Sequence, residues 1–256
     1  MQHKVEIDFH GRPLSIEVGR LAKQASGAAL VELFESCGAL RRGHFRLSSG
    51  LHSPELIRLA DAMDEASITD WAFPGRGLIR GEALAKFVRE HTGGRNIEQM
   101  ALPLGIVATD LDSGAPILFQ RGDAGLAVRA SSAVPAVFQP VKIGTREYVD
   151  GGLVSPVPVR FARQMGAEVV IAVDISAVPE GNATGDPLRM LLQTFAIMGR
   201  SINQFELREA DVVLRPRLPG VSGADFAARK RIIQAGRQAA LAALPDLRAK
   251  VAAHMH

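Results

Sequence analysis

Residues 146–176 read REYVDGGLVSPVPVRFARQMGAEVVIAVDIS. Near its end, Val169–Val173 is an apolar run without polar alternation, the pattern of a strand covered on both faces by helices. Working outward, Leu104–Thr109, Ile117–Gln120 and Glu168–Val173 are short, rich in apolar residues and bounded by Gly, Asp or Pro. Pro187–Ala210 carries Leu188, Leu191, Leu192, Phe195, Met198, Ile202 and Phe205 at helical spacing. A short strand, Val212–Leu214, and a helix from Asp225 to Leu244 come next. This alternation predicts an α/β domain with a largely parallel sheet.

Further upstream the elements are weaker. Gly81–Glu90 begins a helix behind a loop around Pro74-Gly75-Arg76-Gly77, and Glu55–Met63 and Leu21–Phe34 carry helical patterns. Val5–Phe9 and Leu14–Val18 alternate around His10-Gly11-Arg12-Pro13, as in a β-hairpin.

The 256 residues suit one large domain or two small ones, and 30 Lys and Arg against 27 Asp and Glu leave a formal charge of only +3. With one Trp and one Tyr, the chain lacks both the basic patch and the stacking surface of a nucleic-acid binder, so no nucleic acid is expected. Cys37 is the single cysteine, which excludes an intrachain disulfide and a cysteine-based zinc cage. No apolar stretch approaches the roughly 20 residues of a membrane helix, and MQHKVEIDFH lacks the apolar core of a signal peptide. The expected location is the cytoplasm.

The seven histidines all fall at or before His91 or at His254 and His256. A Ser-His-Asp triad is therefore hard to assemble within the α/β pattern, and hydrolytic chemistry there needs a carboxylate as its base. Asp150 is the candidate. As a pattern, Asp-Gly after an alternating strand is also a hairpin turn. The adjoining Gly151 and Gly152 let backbone approach a ligand closely, and a strand-end Asp points out of the sheet. Two other stretches, Ala108–Leu111 with the turn at Asp112-Ser113-Gly114, and Val128–Pro135, read equally well as turn and capping chemistry.

Together, ATDLDSGAPILFQRG (108–122), AVRASSAVPAVFQPVKIG (127–144) and the 146–176 stretch closely resemble bacterial patatin-like phospholipases. The likeness extends through MDEASITDW, GLIRGEAL, ADVVLRPRL and DFAARKRIIQAGRQAA, in unbroken order over roughly residues 55–250. It implies a three-layer α/β/α sandwich with a mainly parallel central sheet. It also implies a lipid acyl-ester hydrolase with a Ser-Asp dyad and neither metal nor organic cofactor. The family's Asp-Gly-Gly motif falls on Asp150, Gly151 and Gly152, with Asp150 as general base. The implied partner is a lipid or other acyl ester, with peripheral membrane contact.

The resemblance breaks at the nucleophile. The family's serine sits in Gly-x-Ser-x-Gly, on a sharp strand-to-helix turn, behind a Gly-rich loop that forms the oxyanion hole. Neither that motif nor a Gly-rich loop in the first sixty residues is present. Ser36, in Phe34-Glu35-Ser36-Cys37-Gly38, retains the second glycine and stands near the expected distance before Met63, which makes it the substitute candidate. Ser222 follows Asp150 and suits a helix cap, and Ser48 has no following helix. Residues 3–29 resemble the opening of polynucleotide phosphorylase, and residues 29–55 the start of orotate phosphoribosyltransferase. The expected organisation is an atypical, chimera-like segment over 1–54 and a patatin-like α/β domain over 55–256.

Overall fold

A computed structural model describes residues 16–17, 69–72, 75–100, 102–176, 187–221 and 228–254. The expected helices over 21–34 and 55–63, most of the N-terminal hairpin, and the serines at 36, 48 and 222 lie outside these residues. Nine strands are described: β1 (Ile16–Glu17), β2 (Gly77–Ile79), β3 (Ile106–Asp110), β4 (Pro116–Phe119), β5 (Ala136–Phe138), β6 (Val141–Ile143), β7 (Arg146–Asp150), β8 (Ile171–Val173) and β9 (Val212–Leu214). The helices are α1 (Glu82–His91), α2 (Ala124–Ser131), α3 (Val159–Gln164), α4 (Pro187–Glu206) and α5 (Arg229–His254). The protein is of the α/β class, with parallel and antiparallel strands and packed helices.

Among the described residues the strands form three sheets. β1, β8 and β9 run parallel in that order, with β1 at the edge. β2 and β5 form a parallel pair. β4, β3, β7 and β6 form an antiparallel sheet in that order. The strands around Leu104–Thr109, Glu168–Val173 and Val212–Leu214 were expected to share one sheet. They are instead divided between the antiparallel and the parallel sheets. The reason is local: Asp112-Ser113-Gly114 turns β3 back onto β4, and a two-residue connection carries β6 to β7. Such short links join antiparallel neighbours, whereas parallel ones need a long crossover.

The apolar run at β8 behaves as its pattern requires, with all three residues buried. Val170 and Ala172 pack with Val157, Val159 and Ala162 around α3 and with Leu207. The opposite strand face is buried as well, and α5 contacts β9. The antiparallel sheet is covered by α2, whose Ala130 joins Ala108, Val141 and Tyr148 in one cluster. Helices α1 and α2 cross closely because Gly125 carries no side chain; a Cβ there would stand 2.4 Å from the Ala85 carbonyl oxygen. Helix α1 starts at Gly81, which has no capping side chain, and Asp70 fills that role by accepting from the N–H groups of Gly81 (2.6 Å) and Glu82 (2.9 Å). Helix α5 continues past the expected end at Leu244, through Pro245 to His254.

Asp110 ends β3 and is fully buried. Its Oδ1 accepts from the N–H groups of Asp112 and Ser113, both at 3.0 Å, and its Oδ2 from Arg146 at 2.5 Å. The Arg146 hydrogen bond, followed by that of the Ser113 backbone, pushes the Asp110 carboxyl down to about 2. A folded-state value below the ordinary 3.8 means that its contribution to stability is full above that pH and is lost as pH falls towards 2. Asp110→Asn is expected to lower Tm by several degrees at neutral pH, with the gap to wild type closing in thermal melts taken between pH 4 and 2.

Candidate active site

Asp150 closes β7, opposite Ala108 of β3. Three hydrogen bonds fix the strand end. The Asp150 N–H donates to the Ala133 carbonyl (3.0 Å), the Thr109 hydroxyl donates to the Asp150 carbonyl (2.8 Å), and the Gly152 N–H donates to the Asp150 carboxylate (2.6 Å). Both Thr109–Asp110 and the corner after α2 therefore surround Asp150. The chain after Asp150 does not fold back as a hairpin. It enters a 3-10 turn, Gly151–Leu153, that Asp150 itself caps. Asp150 stands at the carboxyl end of its own strand within an antiparallel sheet, and it is only 5% exposed. That is deeper than a strand-end Asp facing an open groove.

Gly151 explains the depth. A Cβ at this position would lie 2.2 Å from the Val107 carbonyl oxygen, so only glycine lets the turn press onto β3. The N–H groups of Val154 and Ser155 then donate to the Gly151 carbonyl at 3.1 and 2.9 Å. Ser155 is buried, and its hydroxyl lies 2.8 Å from each carboxylate oxygen of Glu206 at the end of α4. Arg160 approaches the same carboxylate at 3.2 Å. Burial raises the Glu206 pKa, opposed by the Ser155 hydrogen bond and by the Arg160 charge. Residues 151–155 thus form a strap tied to β3 at one end and to α4 at the other.

The patatin-like phospholipase family profile matches residues 25–163, more than half of the chain. The chain belongs to the patatin-like phospholipase family. The matched span contains the Asp150-Gly151-Gly152 motif and begins ahead of residue 55, within the segment set apart in the sequence. An uncharacterized NTE family protein of Mycobacterium bovis is 35% identical over 116 residues, covering 45% of this chain and 32% of that protein. Another of Mycobacterium tuberculosis is 27% identical over 242 residues, covering 83% of this chain and 41% of its own length. The mouse patatin-like phospholipase domain-containing protein 7 is 31% identical over 127 residues, 48% of this chain and 9% of that protein. The chain thus spans about a third to two fifths of the length of the mycobacterial relatives it matches.

Within this patatin-like domain, the described part of the candidate site is its carboxylate half. Ser36 lies outside the described residues. Among the described residues, no group of three or more His, Cys, Asp or Glu side chains could hold a metal ion. The link from Ser155 to Glu206 escaped the sequence reading, because Glu206 sits 51 residues away among the apolar positions of α4. A Glu between the apolar residues Phe205 and Leu207 was the available signal.

Glu206→Ala would leave the Ser155 hydroxyl and the Arg160 guanidinium without their carboxylate, at a cost of about 2 kcal/mol. Glu206→Gln keeps an acceptor for Ser155 and should recover much of that loss in urea denaturation. Since the folded pKa of Glu206 is raised, the stability it favours is complete below 4.5 and is lost as pH rises through the folded value. Glu206→Gln should flatten that decline.

Proposed function

We propose that this chain carries the acyl-ester hydrolase site of patatin-like phospholipases in a catalytically impaired form, acting on lipid esters in the cytoplasm. The observation that supports this reading best is the Asp150 carboxylate, oriented by the Gly152 N–H at the end of β7. In such a site Asp150 takes the serine proton, the serine attacks the acyl carbonyl, and water releases the acyl-enzyme. Asp150 is the general base and Ser36 the candidate nucleophile, with no metal or organic cofactor required.

The impairment follows from the sequence. Without Gly-x-Ser-x-Gly there is no strained turn to present a hydroxyl to Asp150, and without the Gly-rich loop the developing oxyanion lacks its N–H donors. Losing one such donor typically costs about 10²–10³ in rate. The same lack favours a second reading, a non-catalytic scaffold that binds lipid or a protein partner. Residues 1–54 remain the proposed atypical, chimera-like unit and 55–256 the patatin-like unit.

Peripheral contact with a lipid surface is proposed through α4. Met190, Ile197, Met198 and Phe205 are more than half exposed and recur along one side of this 20-residue helix. No described helix is long and apolar enough to cross a membrane.

A nitrophenyl-ester assay is expected to give a rate close to buffer, unchanged by Asp150→Ala. Turnover well above background, abolished by both Asp150→Ala and Ser36→Ala, would contradict the impairment and make Ser36 a displaced nucleophile. Fluorophosphonate labelling, with the modified residue located by mass spectrometry, distinguishes the two readings: a labelled serine supports the hydrolase, and no labelling supports the scaffold.

A further inference from the structure

A cavity of about 980 Å³ opens where the parallel strands β8 and β9 end, between the second half of α4 and residues 215–221. Crevices outside the carboxyl ends of parallel strands are where open α/β sheets receive ligands. Asp150 is not among the described lining residues.

Its chemistry is strongly one-sided. Among its described lining residues, Arg200, Arg208, Arg215 and Arg217 stand against one carboxylate, Asp174. Arg215 pairs with Asp174 at 3.3 Å, and Arg208 lies over the Phe205 ring at 5.2 Å. Among the described residues, Arg200 and Arg217 have no ion-pair or hydrogen-bond partner. Two unpaired guanidiniums beside one neutralised acid make a focus of positive potential for a multiply charged oxyanion, because each offers a planar fork of donors. A phosphate, with several acceptor oxygens, suits two such forks.

A second observation comes from the cavity wall. Asn203 is 2% exposed and donates through Nδ2 to the Ser176 hydroxyl at 2.8 Å, yet its Oδ1 has no hydrogen-bond partner. An unsatisfied buried acceptor is costly and uncommon.

We propose that this cavity binds the phosphate of a phosphate ester, held by Arg200 and Arg217. The same chemistry is offered by a free polyol phosphate and by a phosphatidylglycerol headgroup. The inference stands apart from ester hydrolysis, since binding is read without turnover.

Isothermal titration calorimetry of the full chain with sn-glycerol 3-phosphate in chloride buffer tests the free ester. Co-sedimentation with phosphatidylglycerol vesicles, compared with phosphatidylcholine vesicles, tests the headgroup. Binding in either assay should weaken at least about tenfold in Arg200→Ala and in Arg217→Ala. Arg95→Ala, an exposed arginine outside the cavity, should leave it unchanged. Thermal melts should show that the exposed-arginine variants remain folded. Binding of sn-glycerol 3-phosphate identifies the free ester as sufficient, and vesicle binding alone identifies the headgroup. Binding of neither probe, or equal affinity in the Arg200→Ala, Arg217→Ala and Arg95→Ala variants, overturns the proposal.

Discussion

The contact of Gly151 with the backbone of β3 is the constraint on which the rest of the described site depends. With no Cβ to hold it away, the turn after β7 settles against the Val107 carbonyl. That approach ends β7 at Asp150, buries the carboxylate and aligns the Gly152 N–H with it. It also sends residues 152–155 towards α4, where Ser155 meets Glu206. Since α4 forms one wall of the cavity at the ends of β8 and β9, the Asp-Gly-Gly segment and that cavity share a structural support.

Much of this was legible in the sequence where one physical signal acted alone. The unbroken apolar run at Val169–Val173 could be satisfied only by burial on both faces, and β8 is buried on both. The long periodicity of 187–210 became α4, and the Asp-Ser-Gly turn became the β3–β4 hairpin. The Asp-Gly pair at 150 and 151 was harder, because a hairpin and a strand-to-helix turn use the same residue types. What separates them is the close approach to β3, a contact across more than forty residues that no local pattern reports.

The division into a parallel and an antiparallel sheet was not legible either. β5 and β6 are three residues each, too short for a periodicity to emerge, and β2 fell in a stretch that reads as loop. Sheet membership is set by connections between neighbours rather than by the composition of one strand. The buried polar links were missed for a related reason. Glu206 and Asn203 sit on a helix whose apolar spacing dominates, and their partners Ser155 and Ser176 are distant in sequence. A buried polar residue discloses its purpose only once its partner, or the lack of one, is seen.

The central claim is that Gly151 holds the carboxylate in place, and Gly151→Ala tests it most directly. Melting and amide hydrogen exchange of this variant beside wild type report the global and the local consequence together. The expected result is a fall in Tm of roughly 5–10 °C, from about 3 kcal/mol of forced displacement. The amides of Asp150, Gly152 and Ser155 should then exchange faster than those of β8. A variant that melts within about 1 °C of wild type, with unchanged exchange at those three amides, would contradict the claim.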